Sequence, residues 1–244
     1  MKSAISVSMH KAGSTIMDQL VTDFMIEKGY KLDQIAFKVL ASPLSERDLF
    51  IKAQSDMSLD GAYYGVARGP YVSQMPILEK LKVLLQVRDP RDCITSAYFS
   101  FKMSHEPPKD PEKLKVFLER RQELAVSNID EYALSQVNAY IFRLRVIKDI
   151  LEKPGQTLLL TYEEMVLETE SWLTKISQFL DQPLTPQLRE RLTPKAQFSV
   201  TSEDARKHKR QVVPGDHQKK LKPETIDEMT ERMKAELEFF GYLR

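Results

Sequence analysis

The chain has 244 residues, of which 42% are hydrophobic and 29% charged, the balance of a soluble globular protein with length for one well-buried core and little margin for two. Lys and Arg number 36 against 35 Asp and Glu, a formal net charge of +1, which excludes a bulk attraction to nucleic acid or anionic membrane and requires any anion site to come from local clustering. One cysteine, Cys93, excludes an internal disulfide framework and a cysteine-rich metal site. Residues 1–9 lack a basic stretch leading into a long apolar core, and no apolar run approaches the ~18 residues that span a bilayer. The expectation is a cytoplasmic enzyme with no nucleic-acid or membrane partner.

In chain order, Ala4 to Met9 alternate as a strand, and His10-Lys11-Ala12-Gly13-Ser14-Thr15 form a loop. Ile16, Met17, Leu20, Val21, Phe24 and Met25 then recur at helical spacing up to a capping Gly29. Between residues 33 and 75 the pattern weakens. Gln34 to Leu40 and Ala62 to Ala67 are the strand candidates there. Lys82 to Val87 is the clearest buried strand; it runs into Arg88-Asp89-Pro90-Arg91-Asp92 and a helix to about Met103, which a proline-rich stretch at 106–111 breaks. Helices are predicted near 112–126 and 131–152, a buried strand over 157–162, and helices near 170–181 and from Pro223 to Gly241. Strands alternating with helices predict an α/β fold: three layers, a mostly parallel central sheet, and a phosphate-binding strand–loop–helix at its start. One domain spans residues 1–244.

A strand–loop–helix with a glycine in the loop aims backbone N–H groups and the positive end of the helix dipole at one anion. Ser14 and Thr15 add hydroxyls and Lys11 a mobile charge. The order of residues argues against an ATP- or GTP-hydrolysing loop of the G-x-x-x-x-G-K-[ST] type, because Lys11 precedes Gly13 instead of following the last glycine. Arg88-Asp89-Pro90-Arg91-Asp92 reads by itself either as a salt-bridged helix start or as a second anion site, where a guanidinium forks onto phosphate oxygens.

Together the two segments resemble the sulfotransferases that use 3′-phosphoadenosine 5′-phosphosulfate (PAPS). Lys11-Ala12-Gly13-Ser14-Thr15 is similar to that family's 5′-phosphosulfate loop, and Arg88 to Asp92, with Ser96 eight residues after Arg88, to its 3′-phosphate segment. Thr161-Tyr162-Glu163-Glu164-Met165 resembles the strand end whose tyrosine lies near adenine. Arg210 to His217 resembles a segment that closes over the 3′-phosphate, with Gln211, Val212 and His217 departing from its pattern. The resemblance implies that Lys11, Ala12, Gly13, Ser14 and Thr15 hold the 5′ end, that Arg88, Ser96 and Arg210 hold the 3′-phosphate, that Tyr162 lies near adenine, and that no metal takes part. The acceptor it implies is a small molecule with a hydroxyl or amine. The basic run at 203–222 is expected to be mobile without nucleotide and to act as a lid.

The family's usual catalytic histidine, about 20 residues before the phosphate arginine, has no counterpart: Arg68-Gly69-Pro70 occupies that place, and arginine cannot serve as a base near neutral pH. His105 is the first candidate, followed by Asp60 and Asp56. The other readings are a nucleotide kinase or other phosphotransferase and a non-catalytic nucleotide-binding module.

Overall fold

The computed structural model describes residues 1–39, 42–105, 107–108, 110–196, 198 and 212–243. The described elements run β1 (Ala4–Ser8), α1 (Ser14–Glu27), β2 (Lys31–Leu32), α2 (Ile35–Lys38), α3 (Glu46–Ala53), β3 (Ala62–Arg68), β4 (Lys82–Val87), α4 (Pro90–Phe99), α5 (Pro111–Val126) and α6 (Ile129–Glu152). They continue through β5 (Gln156–Thr161), α7 (Tyr162–Leu167), α8 (Thr169–Leu180), α9 (Pro186–Leu192), α10 (His217–Lys220), α11 (Pro223–Arg232) and α12 (Lys234–Phe239). The chain gathers into two compact units, Met1–Arg88 with Val146–Gln197, and Asp89–Arg145 with Phe198–Arg244.

The first unit holds the whole sheet. Its strands lie in the order β2-β3-β1-β4-β5, and every pair is parallel. Parallel strands are covered on both faces, so they read as continuous apolar runs. All five residues of β1 are accordingly buried, as are Val83, Leu84, Leu85 and Val87 of β4. Met17, Leu20, Val21 and Phe24 of α1 and Trp172, Ile176 and Leu180 of α8 complete this core.

The strand expected over 34–40 is not present. A two-residue strand, Lys31–Leu32, precedes the four-residue helix α2, of which only Ile35 is buried. Five apolar side chains in that stretch invite a strand assignment, yet Phe37 is 56% exposed, so the apparent pattern comes from a short helix at the surface. Leu40 lies outside the described residues.

One buried polar network ties α1 to the sheet. Tyr63 Oη donates to Asp18 Oδ1 at 2.7 Å and lies 2.8 Å from Ser6 Oγ, while Gln34 Nε2 donates to Asp18 Oδ2 at 3.4 Å. Burial pushes the Asp18 carboxyl above its ordinary 3.8, against the opposing effects of the Tyr63 hydrogen bond and the Arg68 charge. A carboxyl raised on folding contributes stability that is full below pH 3.8 and is lost as pH rises through the raised value. Asp18→Asn, neutral throughout, is expected to flatten that part of the stability–pH curve in urea unfolding. An unchanged slope would contradict the assignment.

The second unit is helical. Asp89 caps α4, accepting from Arg91 N, and its carboxylate also pairs with the Arg91 side chain at 2.7 Å. Arg91 reaches onward to Thr230 Oγ1 and the Tyr242 carbonyl, which anchors the C-terminal helices.

Candidate active site

The phosphate loop begins where β1 ends. Ser8 stands in register with Arg68 on β3 and Gln86 on β4, so three parallel strands deliver their C-terminal ends to one turn. The backbone there takes two left-handed residues, Lys11 at φ 69° and Gly13 at φ 73°. A non-glycine residue in that region costs roughly 1–2 kcal/mol, and the strand ends supply the bonds that hold it. Gln86, fully buried, donates Nε2 to the Ala12 carbonyl at 2.6 Å, and Arg88 Nη1 donates to the Lys11 carbonyl at 3.1 Å. Carbonyl oxygens that would repel an anion are thereby occupied from the β4 side.

Gly13 is the N-cap of α1. No side chain caps this helix, and its first turn carries no acidic residue. Its leading N–H groups and the positive end of its dipole are the donors an anion requires. A second feature makes the loop a fitted cradle. A Cβ at Gly13 would stand 2.7 Å from Cδ2 of Tyr162 and 3.0 Å from Cε of Met165, so only glycine lets the loop lie this close to α7.

Tyr162 opens α7 directly after β5 and is buried. The Arg88 guanidinium stacks on its ring with Cζ 4.1 Å from the centroid, a cation–π contact. The structure therefore brings Lys11, Ala12, Gly13, Arg88 and Tyr162 together in the first unit. Tyr162 is the shared floor under Gly13 and beside Arg88, a role that local sequence does not reveal. Ser14 is buried and Thr15 exposed on the first turn of α1.

Ser96 lies in the second turn of α4, half-buried, and its hydroxyl has no hydrogen-bond partner among the described residues. Asp92 accepts from the backbone N–H groups of Gly215 and His217 and lies 2.6 Å from His217 Nδ1. Of the Arg88-to-Asp92 run, Asp89, Arg91 and Asp92 are thus structural. Cys93 is fully buried, a packing residue.

The 212–222 part of the expected lid is tied down by Asp92 and by burial of Val212, Asp216 and Leu221. Its other part and Arg210 lie outside the described residues. His105 is exposed, its ring between Phe101 and Phe117 at centroid distances of 5.3 and 6.0 Å.

The two aspartates do not fit a base. Both are exposed, and a carboxyl needs burial to gain the required basicity. Asp60 moreover pairs with Lys2 and the N-terminus, just before β3 and therefore at the opposite end of the strands from the loop.

Sequence reasoning missed Glu46. It accepts from Arg68 N at 2.6 Å, from Tyr71 Oη at 2.7 Å and from Arg68 Nη1 at 3.3 Å. No local motif signals a contact across 22 residues of sequence.

The family model for the sulfotransferase domain matches residues 70–241. The chain belongs to the sulfotransferase domain family. A parallel sheet bearing a phosphate-type loop is the scaffold of this sulfotransferase, and sulfuryl transfer is its activity. The matched segment begins after the loop at 10–15, so the assignment of that loop rests on its geometry. Among solved structures, the chain is similar to mouse sulfotransferase SULT7A1 complexed with PAP, at 17% identity and a TM-score of 0.60 over 97% of this chain and 84% of that one. It is also similar to a retinol dehydratase in complex with androsterone and the inactive cofactor PAP, at 14% identity and a TM-score of 0.54 over 96% and 80%. At such identities the likeness is one of fold. No curated protein matches this chain. Among its described residues no helix is long and apolar enough to cross a membrane, and no group of three or more His, Cys, Asp or Glu is placed to hold a metal ion.

Proposed function

We propose that this sulfotransferase takes its sulfuryl group from PAPS and passes it to a hydroxyl or amine of a small-molecule acceptor, as one catalytic domain working in the cytoplasm. The observation that carries the reading is the loop itself: an uncapped helix start, two left-handed residues, and a glycine whose hydrogen faces the Tyr162 ring.

PAPS supplies an activated sulfur–oxygen bond on a good leaving phosphate. The chain supplies position and charge. The amides of the loop and of the first turn of α1, with the Ser14 and Thr15 hydroxyls, bind the 5′ end. Arg88, Ser96 and Arg210 bind the 3′-phosphate. Lys11 would meet the bridging oxygen of a bound donor, and its charge would offset the negative charge gained by a leaving phosphate. Transfer between oxygens in line through a loose transition state asks for this kind of stabilisation more than for covalent catalysis. His105 takes the acceptor's proton.

Arg88→Ala and Ser96→Ala are expected to weaken binding of 3′-phosphoadenosine 5′-phosphate (PAP), by roughly 1.5–3 kcal/mol for the charge-assisted arginine contact. Adenosine 5′-phosphosulfate, without the 3′-phosphate, is expected to be nearly indifferent to both. Calorimetry showing equal losses for the two nucleotides would contradict the 3′-phosphate assignment.

A further inference from the structure

The groups assigned to the nucleotide approach the loop from one flank. Arg88 follows β4, and Tyr162 follows β5. In the strand order, β3 lies on the other side of β1. A donor whose nucleotide occupies the β4–β5 flank directs its opposite end, the sulfuryl group, toward β3. Arg68, the last residue of β3, stands there in register with Ser8.

Its side chain is set for an oxyanion. Nη1 is held by Glu46 and Nε donates to Ser14 Oγ of the loop at 2.8 Å. Nε and Nη2 form the guanidinium edge that grips oxyanions two-pronged. One prong of that edge already lies on the phosphate loop, and Nη2 donates to no described residue. Arg68 and Glu46 are each about one-fifth exposed, both 21%, so the edge is reachable yet partly shielded from water. Glu46 sets the orientation: its carboxylate bonds both the backbone and the side chain of Arg68, and Tyr71 Oη donates to the same carboxylate while accepting from Arg68 N at 3.1 Å.

We propose that Arg68 is a catalytic residue that binds the oxygens of the transferring sulfuryl group, with Glu46 as its positioning residue. The position where a base was sought thus holds an electrophilic clamp. This rests on PAPS being the donor.

The test is calorimetry of PAPS and of PAP, which lacks the sulfuryl group, on the full chain and on Arg68→Ala, Arg68→Lys and Glu46→Gln. Arg68→Ala is expected to weaken PAPS roughly ten- to hundredfold while leaving PAP within about twofold, so that retained PAP binding also reports an intact fold. Arg68→Lys, keeping charge without the fork, is expected to lose less. Glu46→Gln is expected to lower the PAPS-to-PAP affinity ratio in the same direction. Equal losses on both nucleotides, or no loss on either, would overturn the role of Arg68. A Glu46→Gln chain that is less stable but has an unchanged affinity ratio would overturn the positioning role. Wild-type chain that binds no PAP would overturn the donor assignment, and this proposal with it.

Discussion

Lys11→Ala is expected to lower turnover by about 3–4 kcal/mol, roughly a hundred- to a thousandfold, while PAP affinity changes far less. The asymmetry follows from where charge develops. In the ground state the bridging oxygen of the donor carries little charge, and one ammonium adds modestly to a loop already rich in backbone donors. In the transition state that oxygen becomes part of a leaving phosphate, and only then does the ammonium meet a full partner. The structure holds Lys11 in the left-handed region at φ 69°, with its carbonyl bonded by Arg88 at 3.1 Å. Its backbone is therefore fixed at the loop, and its side chain is half-buried there. Single-turnover rates with PAPS, beside PAP calorimetry, check this. A variant with unchanged turnover, or one that loses binding and turnover equally, would remove Lys11 from the chemical step.

His105→Ala is expected to reduce turnover of an aliphatic alcohol roughly a hundred- to ten-thousandfold, and turnover of an acidic phenol much less. An alcohol cannot ionise unaided near neutral pH, whereas an acidic phenol is already partly ionised, so the second needs little help from a base. His105 is one of four histidines. Its backbone is fixed by its N–H on the Ser100 carbonyl at 2.7 Å and by Arg121 Nη2 on its own carbonyl at 2.7 Å. The exposed ring is flanked by Phe101 and Phe117. Rates on a paired alcohol and phenol, wild type against variant, decide it. Equal losses on both acceptors would point to a structural histidine, and no loss on the alcohol would make it a bystander.

Sequence reading reached the parts of this fold that local chemistry dictates. β4 declares itself by an unbroken apolar run, and the phosphate loop by a glycine between an alternating strand and an amphipathic helix. The Pro223 helix start and the break at 154–155 are likewise written in proline and glycine. What escaped was short or non-local. α9 carries a readable signal, Thr185 capping Leu188 N with Pro186 in the first turn, but its seven residues make too brief a period to stand out. α2 was hidden because the apolar residues of a four-residue helix and its flanks mimic a strand.

In the site, residue identities were legible and their partnerships were not. Gln86, which fixes the loop through Ala12, sits inside an apolar strand where a polar residue signals nothing by itself. Glu46 comes 22 residues before its arginine. The closeness of Gly13 and Tyr162, set by α7 turning back immediately after β5, exists only once β1, β4 and β5 are laid side by side.

The most direct measurement is transfer of radiolabelled sulfur from PAPS to a mixed panel of phenols, aliphatic alcohols and amines, with PAP release followed in the same reactions. The account predicts that label appears on at least one hydroxyl or amine in step with PAP release, and that Lys11→Ala suppresses both while still binding PAP. Tight PAP binding without label transfer across the panel, or phosphoryl transfer from ATP in its place, would contradict it.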